Sequence, residues 1–192
     1  MFQHKPAKAK AKGPVPAKKG QGRGRPNQRP MEMVSDGWTL GTHNVGGVTQ
    51  SYLTWLDECQ FDVIALQEIY DQGATIMERF GAERVILGGD PPDAGDGTGR
   101  TDKGSGVAFL LSKRIRGSVD DQSEAGSRLC WIHLELKGLP QGAYVVNAYL
   151  PYKDKKKLPL QKDTLAALEA LLTELRAKRP QAMVYVVGDL NT

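Results

Sequence analysis

Polar side chains stand where apolar runs of this chain end. Asn44 closes a run that begins at Trp38. Glu68 follows Val63-Ile64-Ala65-Leu66-Gln67. Tyr149 lies in Asn147-Ala148-Tyr149-Leu150-Pro151. Asp189 and Asn191 follow Val184-Tyr185-Val186-Val187-Gly188. In α/β sheets ligands gather beyond the strand ends, so polar groups placed there repeatedly point to one shared site. A carboxylate after a buried strand is a hard oxygen ligand. It suits Mg²⁺, or Mn²⁺, which takes few protein carboxylates and keeps waters that a substrate phosphate can replace. A single Glu at a strand end is an ordinary cap; it is the repetition that points to chemistry. Lys153 and Lys155 to Lys157 follow Pro151 directly, which would put a cationic loop beside such a site.

The elements that must position these groups follow from the hydrophobic period. Strands are expected over 38–45, 62–66, 84–87, 106–111, 128–136, 144–150 and 183–187. The run at 62–66 is continuously apolar, as in a strand covered on both faces. Helices are expected over 50–59, 71–80 and 163–179. In the last, Leu165, Leu168, Leu172 and Leu175 form one apolar stripe, Lys178 and Arg179 suit the C-terminus and Pro180 ends it. A turn at 138–142 would pair the strands at 128–136 and 144–150. Strands and helices in both hairpin and crossover order indicate an α/β domain with helices covering sheets.

The 192 residues suffice for one domain with a real core. No run approaches the ~18 apolar residues of a membrane-spanning helix, so no membrane partner is expected. The first 30 residues lack the apolar core of a secretory signal. Cys59 and Cys130 have no metal-ligand spacing and are read as buried free thiols. The net charge of +4 hides a split. Residues 1–30 carry nine basic side chains and no acid, whereas 31–192 carry 17 basic and 22 acidic ones. Residues 1–36 hold almost no large apolar side chain and are expected to be a disordered basic tail. The tail reads equally as a phosphate-backbone contact or nuclear-import address, and as a solubilising linker. The Gly/Asp/Pro-rich stretch at 88–104 does not fit an EF-hand and reads as a surface insertion.

The segments Thr42-His43-Asn44-Val45, Leu66-Gln67-Glu68, Gly104-Ser105-Gly106-Val107-Ala108, Asn147-Ala148-Tyr149-Leu150-Pro151 and Gly188-Asp189-Leu190-Asn191 occur in one order. In that order they resemble the endonuclease/exonuclease/phosphatase superfamily, the deoxyribonuclease I-like fold. The Tyr–x–Pro form at Tyr149 resembles abasic-site endonucleases and the endonucleases of non-LTR retrotransposons, because phosphatase members typically carry a His there. The resemblance implies a two-sheet α/β sandwich with outer helices over residues 37–192. It implies Mg²⁺-dependent hydrolysis of DNA phosphodiesters, with DNA held through its backbone, in an intracellular, nuclear setting. Residue by residue it implies Glu68 as metal carboxylate and Asn44 as its neighbour on metal and phosphate. It implies Tyr149 as the hydroxyl near the scissile phosphate, Asp189 as the group orienting the attacking water, and Asn191 as a phosphate donor. Arg128, Lys153 and Lys155 would contact substrate.

Two departures accompany it. Gly46 stands where abasic-site enzymes often place a second acid. The family's closing Ser-Asp-His segment has no counterpart before Thr192, so the second half of the fold is expected to be incomplete. His4, His43 and His133 are the only histidines. His43 precedes Asn44 and would point to the opposite strand face, and His133 reads as a satisfied imidazole away from the chemistry. A nucleic-acid-binding remnant without catalysis, and a phosphatase of the same fold, are the alternatives. Oligomeric state is not legible.

Overall fold

The computed structural model describes residues 37–69, 72–88, 106–123, 128–152 and 157–191. The basic tail, the 89–105 stretch, Lys153 and Lys155 lie outside them. The elements, in chain order, are β1 (Leu40–Asn44), α1 (Gln50–Glu58), β2 (Val63–Gln67), α2 (Gly73–Phe80), β3 (Val85–Leu87) and β4 (Val107–Leu111). They continue with α3 (Lys113–Arg116), β5 (Val119–Gln122), β6 (Leu129–Leu134), β7 (Ala143–Tyr149), α4 (Leu158–Lys178) and β8 (Met183–Asp189).

Two four-stranded sheets form, in the orders β1-β2-β4-β3 and β5-β6-β7-β8. In each sheet the pair at one edge is parallel, β1 with β2 and β7 with β8, and the other pairings are antiparallel. Strand alternation makes the sheets face each other. Val107, Phe109 and Leu111 of β4 meet Cys130, Ile132 and Leu134 of β6 and Ala143, Val145 and Tyr149 of β7 in one buried cluster. The alternate residues face outward and are covered by helices. Leu53, Leu56, Ile76 and Phe80 of α1 and α2 pack on Ile64, Leu66, Ala108 and Leu110. Leu168 and Leu175 of α4 pack on Trp131, Tyr144, Val146 and Ala148. That is the two-sheet α/β sandwich expected, and it explains why β2, β4 and β7 are apolar on both faces.

Local chemistry sets the helix starts and stops. Thr49 caps α1 by accepting from the Tyr52 N–H at 3.2 Å. Gly81 stops α2 and donates its N–H to Met77 O. The C-terminal helix begins at Leu158, five residues before the position expected, because Pro159 suits a first turn and is no barrier there. Its leucine stripe is only partly inward: Leu168 and Leu175 are buried, whereas Leu165 is 44% exposed. Two elements have no counterpart in the sequence reading, α3 and β5. Cys130 is buried and Cys59 half-buried, and both are free thiols. Among the described residues no helix is long and apolar enough to cross a membrane.

Candidate active site

The site lies where the parallel pairs of the two sheets end together. Asn44 is the last residue of β1 and is central. Its Nδ2 donates to Glu68 Oε1 at 3.1 Å and to Asp189 Oδ2 at 2.6 Å. Its Oδ1 accepts the Gly46 N–H at 3.1 Å. One amide thus stands between two carboxylates that come from different sheets, and its N–H groups offset their mutual repulsion. Gly46 has φ +58, which lets the chain turn back onto Asn44.

Glu68 directly follows β2, whose five residues are all buried. Its φ is +55, an uncommon conformation for a residue with a side chain. The frame holds it there: Glu68 O accepts from Gly47 N at 3.0 Å, and the next residue's N–H, at Ile69, reaches Gly106 O at 3.2 Å. Backbone strain of this kind gathers at functional sites. Asn191 repeats the pattern after β8 with φ +40. Its N–H donates to Asp189 Oδ1 at 3.2 Å and its Nδ2 to Leu150 O at 2.8 Å, so one side-chain N–H is directed to the backbone. Gln161 of α4 donates to Asn191 O at 3.4 Å.

Asp189 pairs in register with Tyr149 across β7 and β8, and its carbonyl accepts from Leu150 N at 2.9 Å. The approach is close because residue 188 is glycine. A Cβ there would sit 1.9 Å from Ala148 O, and the backbone has φ +129. Tyr149 is buried, and burial first, then its hydrogen bond to Glu68, pushes its hydroxyl well above the usual tyrosine range. It is therefore a neutral hydroxyl at ordinary pH. The Arg128 guanidinium lies over the Tyr149 ring, 5.3 Å from its centroid.

Asn44, Glu68, Tyr149, Asp189 and Arg128 are thus brought together, and Asn191 borders them. The two imidazoles among the described residues are elsewhere. His43 lies against Tyr52 and Trp55 of α1, with ring centroids 5.2 Å away in each case. His133 is buried between Asp120, which its Nδ1 touches, and Gln141 O, 2.8 Å from its Nε2. Among the described residues no group of three or more His, Cys, Asp or Glu side chains is arranged to hold a metal. Two carboxylates flanking an amide nevertheless fit Mg²⁺, which binds through one or two carboxylates and fills its shell with water and phosphate oxygens. Sequence reasoning gave Gln67 and Asn147 no role. Both are amides at inward positions of buried strands, and that oddity of place is the signal that finds them.

The comparisons agree with this architecture. Among solved structures, truncated Caenorhabditis elegans TDP2 superimposes with a TM-score of 0.51 at 18% identity, over 74% of this chain and 54% of that one. Staphylococcus aureus beta toxin gives 0.56 at 14% identity, over 81% and 66%. Bacteroides thetaiotaomicron mannosyl-6-phosphatase gives 0.52 at 14% identity, over 81% and 66%. This chain therefore spans about half the length of the TDP2 chain it matches. At such identities the likeness is one of fold. No curated protein matches in sequence. The model of the Endonuclease/Exonuclease/phosphatase family matches residues 41–192, which is most of the chain, and the chain belongs to that family of hydrolases.

Proposed function

We propose that this domain hydrolyses phosphodiesters of DNA with Mg²⁺ or Mn²⁺, as an endonuclease of retroelement descent. The observation that carries the reading is the Asn44 amide held between the Glu68 and Asp189 carboxylates, with Tyr149 in register with Asp189 across β7 and β8. Glu68 and Asn44 would hold the ion, which when bound supplies charge stabilisation at phosphate oxygens. Asp189 accepts a hydrogen bond from the attacking water and aims it along the line of the leaving 3′-oxygen. Asn44 keeps the Asp189 carboxylate turned toward that water. Tyr149 presents a neutral O–H beside the phosphate, and Arg128 adds a cation there. Tyr149 followed by Pro151, together with nine basic and no acidic residues at 1–30, supports DNA over a small phosphorylated molecule and suits a nuclear protein.

The test is nicking of supercoiled plasmid by the full chain, with and without chelator, beside its Glu68→Ala variant. Nicking that needs the ion and is lost in Glu68→Ala is expected. Metal-independent nicking, or faster turnover of a phosphomonoester than of duplex DNA, would overturn the reading. A second reading has its own observation, since no imidazole among the described residues reaches the site. Under it the chain binds nucleic acid without cutting. Deleting residues 1–30 should then abolish most binding together with its salt dependence.

A further inference from the structure

The site is divided between two sheets. Asn44 and Glu68 come from one, and Tyr149, Asp189 and Arg128 from the other. Apolar packing between sheets resists separation but is non-directional, so by itself it sets sideways register weakly. Directional bonds are needed to fix where one half of the site lies against the other.

Directly behind the site two buried amides supply them. Gln67 is 1% exposed and Asn147 fully buried. Gln67 Nε2 donates to Asn147 Oδ1 across the sheets at 2.7 Å. Asn147 Nδ2 donates back to two carbonyls of the opposite sheet, Leu66 O and Ala108 O, each at 2.9 Å. The spare N–H of Gln67 reaches Thr42 Oγ1 at 3.1 Å, two residues before Asn44. The Asn147 side chain therefore uses both of its donors and its acceptor. Polar groups of this kind are costly to bury unless fully bonded, and here the bonding is complete.

We propose that Gln67 and Asn147 are a positioning pair that registers the Glu68 half of the site against the Tyr149–Asp189 half. Gln67 is the residue before Glu68, and Asn147 lies two residues before Tyr149 on the same strand face. A slip of the sheets there would open the Asn44–Asp189 contact, which spans them. What the register serves rests on the hydrolase reading; the register itself does not.

The first readout therefore needs neither metal nor substrate. It is the side-chain amide signal of Asn44 in a ¹⁵N–¹H spectrum, which should be distinctive and slowly exchanging while Nδ2 bonds both carboxylates. In the double variant Gln67→Met/Asn147→Leu both partners become apolar, which keeps the core filled. The Asn44 signal should then collapse to that of a solvated amide in a folded protein. Gln67→Met alone is near-isosteric and decides the matter if the double variant does not fold. Val145→Ala is the control. It leaves a cavity at another inward position of β7, so a merely structural effect would disturb Asn44 as much. An unchanged Asn44 signal in folded Gln67→Met, or an equal collapse in Val145→Ala, overturns the proposal. In plasmid nicking, kcat should fall about 100-fold in the double variant, with KM within about twofold. If the unmodified chain does not nick, the hydrolase reading fails while the Asn44 signal still reports on the pair.

Discussion

The two sheets share one plan and differ in how firmly they hold their part of the site. In the first, Glu68 leaves β2, which is hydrogen-bonded to β1 on one side and β4 on the other and buried along its length. In the second, Asp189 ends β8, which bonds β7 on one side and is the edge of its sheet among the described residues. Met183, Tyr185 and Val186 of β8 are 47%, 36% and 36% exposed. An edge strand has backbone hydrogen bonds on one side only, and its other side presents unpaired N–H and C=O groups. The wall at Glu68 is thus set by a buried central strand. The other depends on the β7 pairing, on the Asn44 amide and on the brace that Gln161 gives Asn191.

The sharpest way to break the second wall alone is Gly188→Val. Its Cβ would meet Ala148 O at 1.9 Å, and backbone cannot yield as a flexible side chain can. The strand must leave β7, taking Asp189 with it. The loss should exceed about 4 kcal/mol, the range reserved for specific structural insults, and plasmid nicking should vanish. The partner experiment in the first wall is Gly46→Ala. Its φ is also positive, at +58, but nothing lies within 4 Å of the added carbon. About 1 kcal/mol is expected there, from the backbone alone. Urea midpoints that come out equal for the two would contradict the comparison.

Helix packing sharpens it next. Ile76 on α2 and Leu175 on α4 are both fully buried, one behind each sheet. Truncation to Ala should cost about 2–5 kcal/mol in either case. The effects on nicking should differ. Loosening α4 also loosens Gln161 and through it Asn191, whereas Glu68 is held by β1, β4 and Gly106 independently of α2. A larger fall in kcat for Leu175→Ala than for Ile76→Ala, measured well below the melting temperature, is the expected outcome.

How much of this was legible in the sequence depends on whether the signal was local. The strands carrying Asn44, Glu68, Tyr149 and Asp189 were readable because a polar residue after an apolar run is a local contrast. The helix ending at Pro180 was readable for the same reason. Strand β5 was not, since Val119-Asp120-Asp121-Gln122 reads as a polar loop. It becomes a strand only because β6 pairs with it and because His133 and Arg179 engage Asp120. Helix α3 spans four residues, too few for a period, and rests on its Ser112 cap. In the site, Gln67 and Asn147 show locally only as amides in apolar runs, and their role lies in each other, 80 residues apart.

A smaller effect probes the first sheet at its far end. Asp62, 5% exposed, accepts from Arg114, from Ser112 Oγ at 3.0 Å and from Thr39 N at 2.9 Å. Burial alone would push its carboxyl up, but the bonds from Arg114, Thr39 and Ser112 outweigh burial and hold it at about 2 instead of 3.8. A folded-state value below the unfolded one stabilises the protein above the unfolded value, and that stability is lost as pH falls through about 2. With Arg114 half exposed, about 1–2 kcal/mol is a fair magnitude. The stability gap between the unmodified protein and Asp62→Asn should therefore be full at pH 7 and shrink between pH 4 and about 2. A gap that does not change over that range would show that the Arg114 pairing contributes nothing through charge.

The smallest expected effect lies on α4, where sequence and structure disagree. The spacing Leu165, Leu168, Leu172, Leu175 reads as one buried stripe, yet Leu165 is 44% exposed while Leu168 is 6% and Leu175 fully buried. Leu165 belongs to the stripe by period but is not among the leucines that pack with Trp131, Tyr144 and Val146. Leu165→Gln should then change stability by less than about 0.5 kcal/mol, as surface substitutions do, against the 2–5 kcal/mol of Leu175→Ala on the same helix. A large loss in Leu165→Gln would mean that this face of α4, the helix whose Gln161 braces Asn191, is covered in solution. The second wall of the site would then be as firmly held as the first, and the contrast between the two sheets would disappear.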